Sequence, residues 1–278
     1  MAIAVFCFAI MNVLIKYLSN YSTVELVFYR ALVTFFISGY FIHKKGISIK
    51  GNNTKLLILR GIFGFLGLSL YYLTVQKLPL ASAVILQYSS PIFTTLIALV
   101  VLKEKVLKVQ WFAFSICMAG LLMIKQFGEI DWFYFTLGIF SAVFSGAAYN
   151  VIRKLKTTEN SSLIVFYFPL VTLPIAIVLL AIKGDMNNPT LLEMFFLLMI
   201  GVSTQIAQIT MTLAYQKEAA AKVSSVTYTG LGYALFFGFL FFNEKPSPIE
   251  LAGFVVVLIG ILINIFGSKY KTKKMSKF

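Results

Sequence analysis

Residues 71–105 read YYLTVQKLPLASAVILQYSSPIFTTLIALVVLKEK, and residues 211–245 read MTLAYQKEAAAKVSSVTYTGLGYALFFGFLFFNEK. Gln76-Lys77 aligns with Gln216-Lys217, Ala81 with Ala221, Tyr88 with Tyr228, and Glu104-Lys105 with Glu244-Lys245, all at one offset of 140 residues. Apolar identities arise by chance in so apolar a chain, whereas rare polar residues falling in one register do not. The pattern is an internal duplication of a membrane unit, which points to a transporter.

The duplication extends outward in both directions. Val27–Thr34 (VFYRALVT) matches Val165–Thr172 (VFYFPLVT), and Asn12-Val13 with Lys16 matches Asn150-Val151 with Lys154, here at an offset of 138. Gly61 with Gly201 and Gly120 with Gly260 return to 140, so the second copy carries a two-residue insertion between its second and third segments. The seam falls at 127–131. The predicted units are 1–127, 131–270 and a basic tail, 271–278.

Of 278 residues, 59% are hydrophobic and only 12% charged, and the mean hydropathy is +0.89. A soluble domain would carry roughly twice that charge fraction. Continuous apolar runs predict ten helical spans, at 2–18, 24–42, 56–75, 80–102, 109–125, 132–152, 162–182, 190–214, 221–242 and 248–267, each suited to a core about 30 Å thick. Alternating barrel strands are excluded. The predicted fold is an all-α polytopic membrane protein of ten transmembrane helices.

One set of loops holds 17 of the 24 Lys and Arg residues; the opposite set holds Lys16, Lys77, Lys125, Lys183 and Lys245. The positive-inside rule then places both termini in the cytoplasm. The net charge of +14 is thus topology rather than a nucleic-acid footprint, with the tail lysines facing membrane lipid. Five spans per copy is an odd number, so the two copies insert as inverted repeats, an arrangement suited to alternating access. The first span lacks a basic leader and a cleavage site and reads as a retained helix. Cys7 and Cys117 lie in apolar spans without metal-ligand spacing.

NVLIK at 12–16, FYRALV at 28–33 and the whole of 71–105 resemble the drug/metabolite transporter superfamily, specifically its ten-helix EamA-type branch. The resemblance covers essentially the full chain. It implies a bacterial inner-membrane carrier of amino acids or related small metabolites, often an exporter, and leaves the substrate open.

Arg30 is the sharpest candidate. It lies five residues past Glu25, so about 7–8 Å inside the second span. A central cation costs about 2.5–3.5 kcal/mol on insertion scales, so it should face the bundle interior. It either engages a carboxylate or phosphate on the cargo or is a structural arginine satisfied by carbonyls and Gln or Tyr side chains. The second copy has Phe168 there, which makes the role asymmetric.

Gln87, Ser90, Pro91 and Thr94 form a polar stripe at helical spacing, and Pro91 frees the Gln87 carbonyl. Gln205, Gln208 and Thr212 align similarly, and Asn12, Tyr149 and Asn150 add polar groups from the first and sixth spans. Such groups either bridge helices or line a cavity. Mid-span Tyr88 and Tyr228 offer flat apolar faces with a hydroxyl. The expected cavity is built by helices one, three, four, six, eight and nine.

No acid occupies a membrane centre, so a proton-cycling carboxylate is missing and facilitated diffusion or exchange is expected. Glu104 and Glu244 read as helix-end partners of nearby lysines rather than as gates. His43 sits in a basic loop, and no Walker loop, HExxH or G-x-S-x-G occurs. No cofactor or metal is expected. An intramembrane enzyme and a proton-coupled drug-efflux carrier are the alternatives, and the carrier is read as a monomer or homodimer.

Overall fold

The structure, a computed structural model, describes residues 1–101, 108–127, 131–155, 158–184, 186–217 and 226–275. Lys103, Glu104, Lys105 and Lys222 lie outside the described residues, as do the side chains of Pro91, Thr212 and the tail lysines. Among the described residues there is no strand. The helices are α1 (Ala2–Tyr17), α2 (Thr23–Lys44), α3 (Thr54–Lys77), α4 (Leu80–Tyr88), α5 (Ser90–Val101), α6 (Lys108–Phe127), α7 (Trp132–Leu155), α8 (Ser161–Lys183), α9 (Leu191–Lys217), α10 (Thr229–Phe242) and α11 (Pro248–Met275).

Six segments are long and apolar enough to cross a membrane: Thr23–Lys44, Thr54–Lys77, Leu80–Val100, Trp132–Leu155, Ser161–Lys183 and Leu191–Met211. Four shorter apolar helices, Ala2–Tyr17, Trp111–Ile124, Thr229–Phe242 and Pro248–Ile263, bring the number to ten. α4 and α5 together make one of these spans. Large apolar side chains such as Phe36, Val100, Ile182, Phe239 and Val255 are exposed on the outer surface, as expected where lipid is the solvent. The chain is a multi-pass helical membrane protein.

Local sequence sets the helix starts at one end of the bundle. The Ser22 hydroxyl accepts from the Glu25 amide while the Glu25 carboxylate accepts from the Ser22 amide at 2.7 Å. Thr190 with Glu193 and Ser247 with Glu250 repeat this reciprocal cap on α9 and α11. This end also carries Lys16, Lys77 and Lys183; it is called the lysine-poor end below. At the lysine-rich end, Asn53 and Asn160 cap α3 and α8. Asn52 Nδ2 there donates to the Thr158 carbonyl, joining the loop before α3 to that before α8.

Apolar side chains gain little by leaving lipid for one another, so close backbone approach at small residues holds the helices together. A Cβ on Gly120 of α6 would stand 2.8 Å from Val257 N and 2.9 Å from Gly253 O of α11. A Cβ on Gly260 would stand 2.9 Å from Cys117 N and Ala113 O. The two helices therefore run antiparallel with their backbones nearly touching. Gly61 of α3 packs on Val171 of α8, and Gly201 of α9 on Val33 of α2. Beyond these, α3 packs on α7, α1 on α9, α2 on α8, and α10 on α1 and α4.

Candidate functional site

A broken helix and the start of α10 meet inside the bundle. α4 stops at Tyr88 and α5 restarts at Ser90, because Pro91 has no N–H to give the Gln87 carbonyl. The chain bridges the break with Ser89 N–H donating to the Leu86 carbonyl at 3.1 Å and Ile92 N–H to the Ser89 carbonyl at 3.0 Å. In the other half, residues 226–227 are helical, the chain turns at Tyr228, and α10 resumes at Thr229. The Tyr88 and Tyr228 rings pack edge to face with centroids 5.6 Å apart. Tyr88 Oη donates to the Thr227 carbonyl at 3.0 Å. Glycine is required at Gly230, where a Cβ would collide with the Tyr88 hydroxyl.

Arg30 is 4% exposed. Its guanidinium carbon lies 5.1 Å from the centre of the Phe168 ring and 5.7 Å from that of Tyr72. Arg60, entering from the lysine-rich end of α3, also stands 5.1 Å from the Phe168 ring. On both arginines, Nε and Nη1 are buried without a hydrogen-bond partner. Gly64 makes room for the arrangement, since a Cβ there would meet Arg60 Nη1 and Phe168 at 2.9 Å. Tyr149, 41% exposed, lies within electrostatic reach of both Arg60 and Tyr88. Asn12 sits beside the Tyr71 hydroxyl with its Oδ1 unpartnered.

The lysine-poor end is tied shut. Lys16 Nζ lies 2.5 Å from Glu244 Oε1 and donates to the Leu78 carbonyl at 2.5 Å, while Leu80 N–H donates to Glu244 Oε2 at 2.7 Å. These four residues join the ends of α1, α3 and α10 and the start of α4. Alongside, a cavity of about 400 Å³ opens between the α1–α2 turn and the ends of α3 and α8, with Lys77 and Lys183 among its lining residues. Gln76 closes its floor, donating to the Tyr21 carbonyl at 2.9 Å and accepting from Thr23 Oγ1 at 3.0 Å.

The model of the EamA-like transporter family matches this chain twice, over residues 1–126 and 132–266. The chain belongs to the EamA-like transporter family. It is 31% identical to the pseudopaline exporter CntI of Pseudomonas aeruginosa, covering 94% of this chain and 92% of that one. It is 27% identical to human solute carrier family 35 member G1, over 92% and 75%. It is 26% identical to an S-adenosylmethionine uptake transporter of Rickettsia bellii, over 96% and 91%. A crystal structure of a protein 14% identical in sequence, covering 94% of each chain, shares the fold with a TM-score of 0.64. The chain is a membrane carrier of a small metabolite, and its family and these relatives are transporters rather than enzymes.

In this EamA-like carrier the residues singled out in the sequence separate into two groups. Tyr88 with Tyr228, Arg30 with Phe168 and Tyr72, and Asn12 with Tyr71 make the contacts just described, and Tyr149 is exposed. Gln87 and Asn150 instead bond across helices. The Gln87 amide donates to Ser145 Oγ and accepts from Ser141 Oγ, both at 2.9 Å, which joins α4 to α7. Asn150 Nδ2 donates to the Thr94 carbonyl at 2.9 Å, joining α7 to α5. Ser90 and Gln205 are buried, as Arg30 and Asn12 are, and Gln208 is half-buried with an interaction of its own.

Two features were not anticipated. Arg60 lies within a predicted span, and the rule that singled out Arg30 applies to it equally. Glu244 pairs with Lys16 from the far end of the chain, and among the described residues no neighbouring lysine holds it. The duplicated glutamate marked the position, but its partner is set by tertiary packing alone.

Proposed function

We propose that this carrier moves a small organic metabolite across a bacterial cytoplasmic membrane by alternating access between inverted halves, 1–127 and 131–270, with both termini in the cytoplasm. The observation that carries the reading is the reciprocity of the α6–α11 contact. Gly120 meets Val257 and Gly253; their duplicates, Gly260 with Cys117 and Ala113, meet in the same way. Gly61 on Val171 and Gly201 on Val33 are a second such pair. Antiparallel, self-complementary contacts of this kind support a two-fold axis across the helices, in the membrane plane.

Tyr88 and Tyr228 are duplicates of each other and touch, which supports placing the α4–α5 break and the start of α10 near that axis. Broken spans at a repeat interface are where carriers of this type bind cargo. Arg30, Asn12, Tyr149, Tyr88 and Tyr228 line the proposed binding surface. The amides of Gln87 and Asn150 act as ties between helices. The Lys16–Glu244 knot closes the extracytoplasmic mouth, and its release alternates with opening toward the cytoplasm. Substrate gradients supply the driving force. One relative is named as an exporter and another as an uptake transporter, as expected of a scaffold whose direction follows the gradient. Both halves lie in one chain, so a monomer suffices.

Sidedness and exchange test this. An impermeant maleimide should label Ser247→Cys in intact cells and Lys105→Cys only after permeabilisation. Labelling of both from one side removes the inverted arrangement. Proteoliposomes loaded with candidate solutes should show counterflow without ATP or a pH change. Substrate-driven alkalinisation of vesicles containing a pH dye would overturn the uncoupled mechanism.

A further inference from the structure

Building on the carrier reading, we propose that Arg30, Phe168 and Arg60 form a receptor for a doubly charged anionic group on the cargo, a pair of carboxylates or a phosphate ester. A guanidinium carries five donors, no acceptor and a permanent charge. Here two of them enter one low-dielectric region from opposite ends of the bundle. Both lie 5.1 Å from one phenylalanine ring, which leaves the guanidinium carbons no more than about 10 Å apart. Among the described residues no carboxylate bonds either of them. The described acid on the same helix as Arg30, Glu25, is held by Ser22, Asn187 and Lys183 at the lysine-poor end.

Four donor nitrogens, Nε and Nη1 on each arginine, are buried without a partner. Buried donors without partners destabilise a fold, and like charges in one apolar region repel. Both penalties vanish when an anion with several acidic oxygens sits between them. Two cations in one region are balanced in charge by a group that carries two negative charges, which favours a dianion. Phe168 contributes its ring to both cations. Tyr149, exposed and within electrostatic reach of Arg60 and Tyr88, offers a ring to the organic body of the cargo. Arg60 deepens the role that its position alone left unassigned.

Purified protein in detergent should be titrated with succinate, citrate and glycerol 3-phosphate, with acetate, alanine and choline as controls. At least one dianion should raise the melting temperature saturably, and none of the controls should. Succinate or citrate responding without glycerol 3-phosphate would assign carboxylates; the converse would assign a phosphate ester. Arg30→Gln and Arg60→Gln should each raise the Kd of that dianion tenfold or more. Neither should melt below the wild type without ligand, since each removes one of two repelling charges. A lower ligand-free melting temperature with unchanged Kd would make the arginines struts and overturn the site. Should the glutamine variants fail to fold, Arg60→Lys keeps the charge and loses the planar fork. It should weaken the dianion three- to tenfold, and unchanged affinity there also overturns the site. Vesicles that exchange labelled alanine while no dianion binds would sink this receptor and leave the carrier reading intact. Dianion binding without exchange of any solute would count against carriage alone.

Discussion

The Lys16 ammonium lies 2.5 Å from the Glu244 carboxylate, closing a knot that also takes in the Leu78 carbonyl and the Leu80 amide. Phe242 adds its ring 5.4 Å from the same ammonium. Both charges are mostly shielded from solvent, with side-chain exposures of 14% and 17%. A charge-assisted hydrogen bond in such a place contributes about 1.5–3 kcal/mol. Lys16→Ala or Glu244→Ala should therefore shift the closed-to-open ratio of this end by tenfold or more. The readout is the modification rate of a cysteine placed at Tyr228, probed with an impermeant reagent from the extracytoplasmic side. The exchange Lys16→Glu with Glu244→Lys should restore slow labelling, and equal rates in all variants would dismiss the knot as a closure.

Gly120 and Gly260 should be interchangeable in their effects. Each would place a side chain against backbone atoms that cannot retreat, at 2.8–2.9 Å. Gly120→Val and Gly260→Val should each cost about 1–3 kcal/mol by overpacking. The two melting temperatures should fall by similar amounts. A large inequality between them would show that the seam is not used equally by the two halves.

Gln87 should behave as a strut. Both ends of its amide are occupied by serine hydroxyls of α7, so Gln87→Leu leaves Ser145 short of a partner, while Ser141 keeps the Gly67 carbonyl at 2.7 Å. The loss should be about 1–2 kcal/mol of stability. Substrate KM in counterflow should move less than twofold once the amount of folded protein is matched. A KM change above tenfold would place Gln87 at the cargo instead.

Gly230→Ala should be more harmful than its size suggests. Its methyl group would occupy the position of the Tyr88 hydroxyl and displace Tyr88 from the Thr227 carbonyl. Transport should fall at least tenfold in Gly230→Ala, and the double variant Gly230→Ala with Tyr88→Phe should recover part of it. No recovery would separate the glycine from the tyrosine.

Much of the architecture was legible because its signals are local. Runs of apolar residues gave the spans, and Pro91, which frees the Gln87 carbonyl, follows a break that falls at Ser89. The repeat register aligned Tyr88 with Tyr228, and the fold brings the two rings into contact. The site was less legible because its defining relations are non-local. Nothing near Arg60 in the sequence says that it shares Phe168 with Arg30. Gln87 looks alike as a lining group or a strut until Ser141 and Ser145 are seen opposite it. Lys16 and Glu244 each appear as ordinary helix-end charges until the first and ninth spans are brought together.

Phe168 occupies in one half the place that Arg30 occupies in the other. The two copies match in sequence, yet their chemistry at this point is lopsided. In the alternating-access cycle proposed above, the outward-open and inward-open conformers would therefore not be energetic mirror images of one another. Even at equal solute concentrations the resting population should favour one of them, and the half-saturation constants at the two membrane faces should differ.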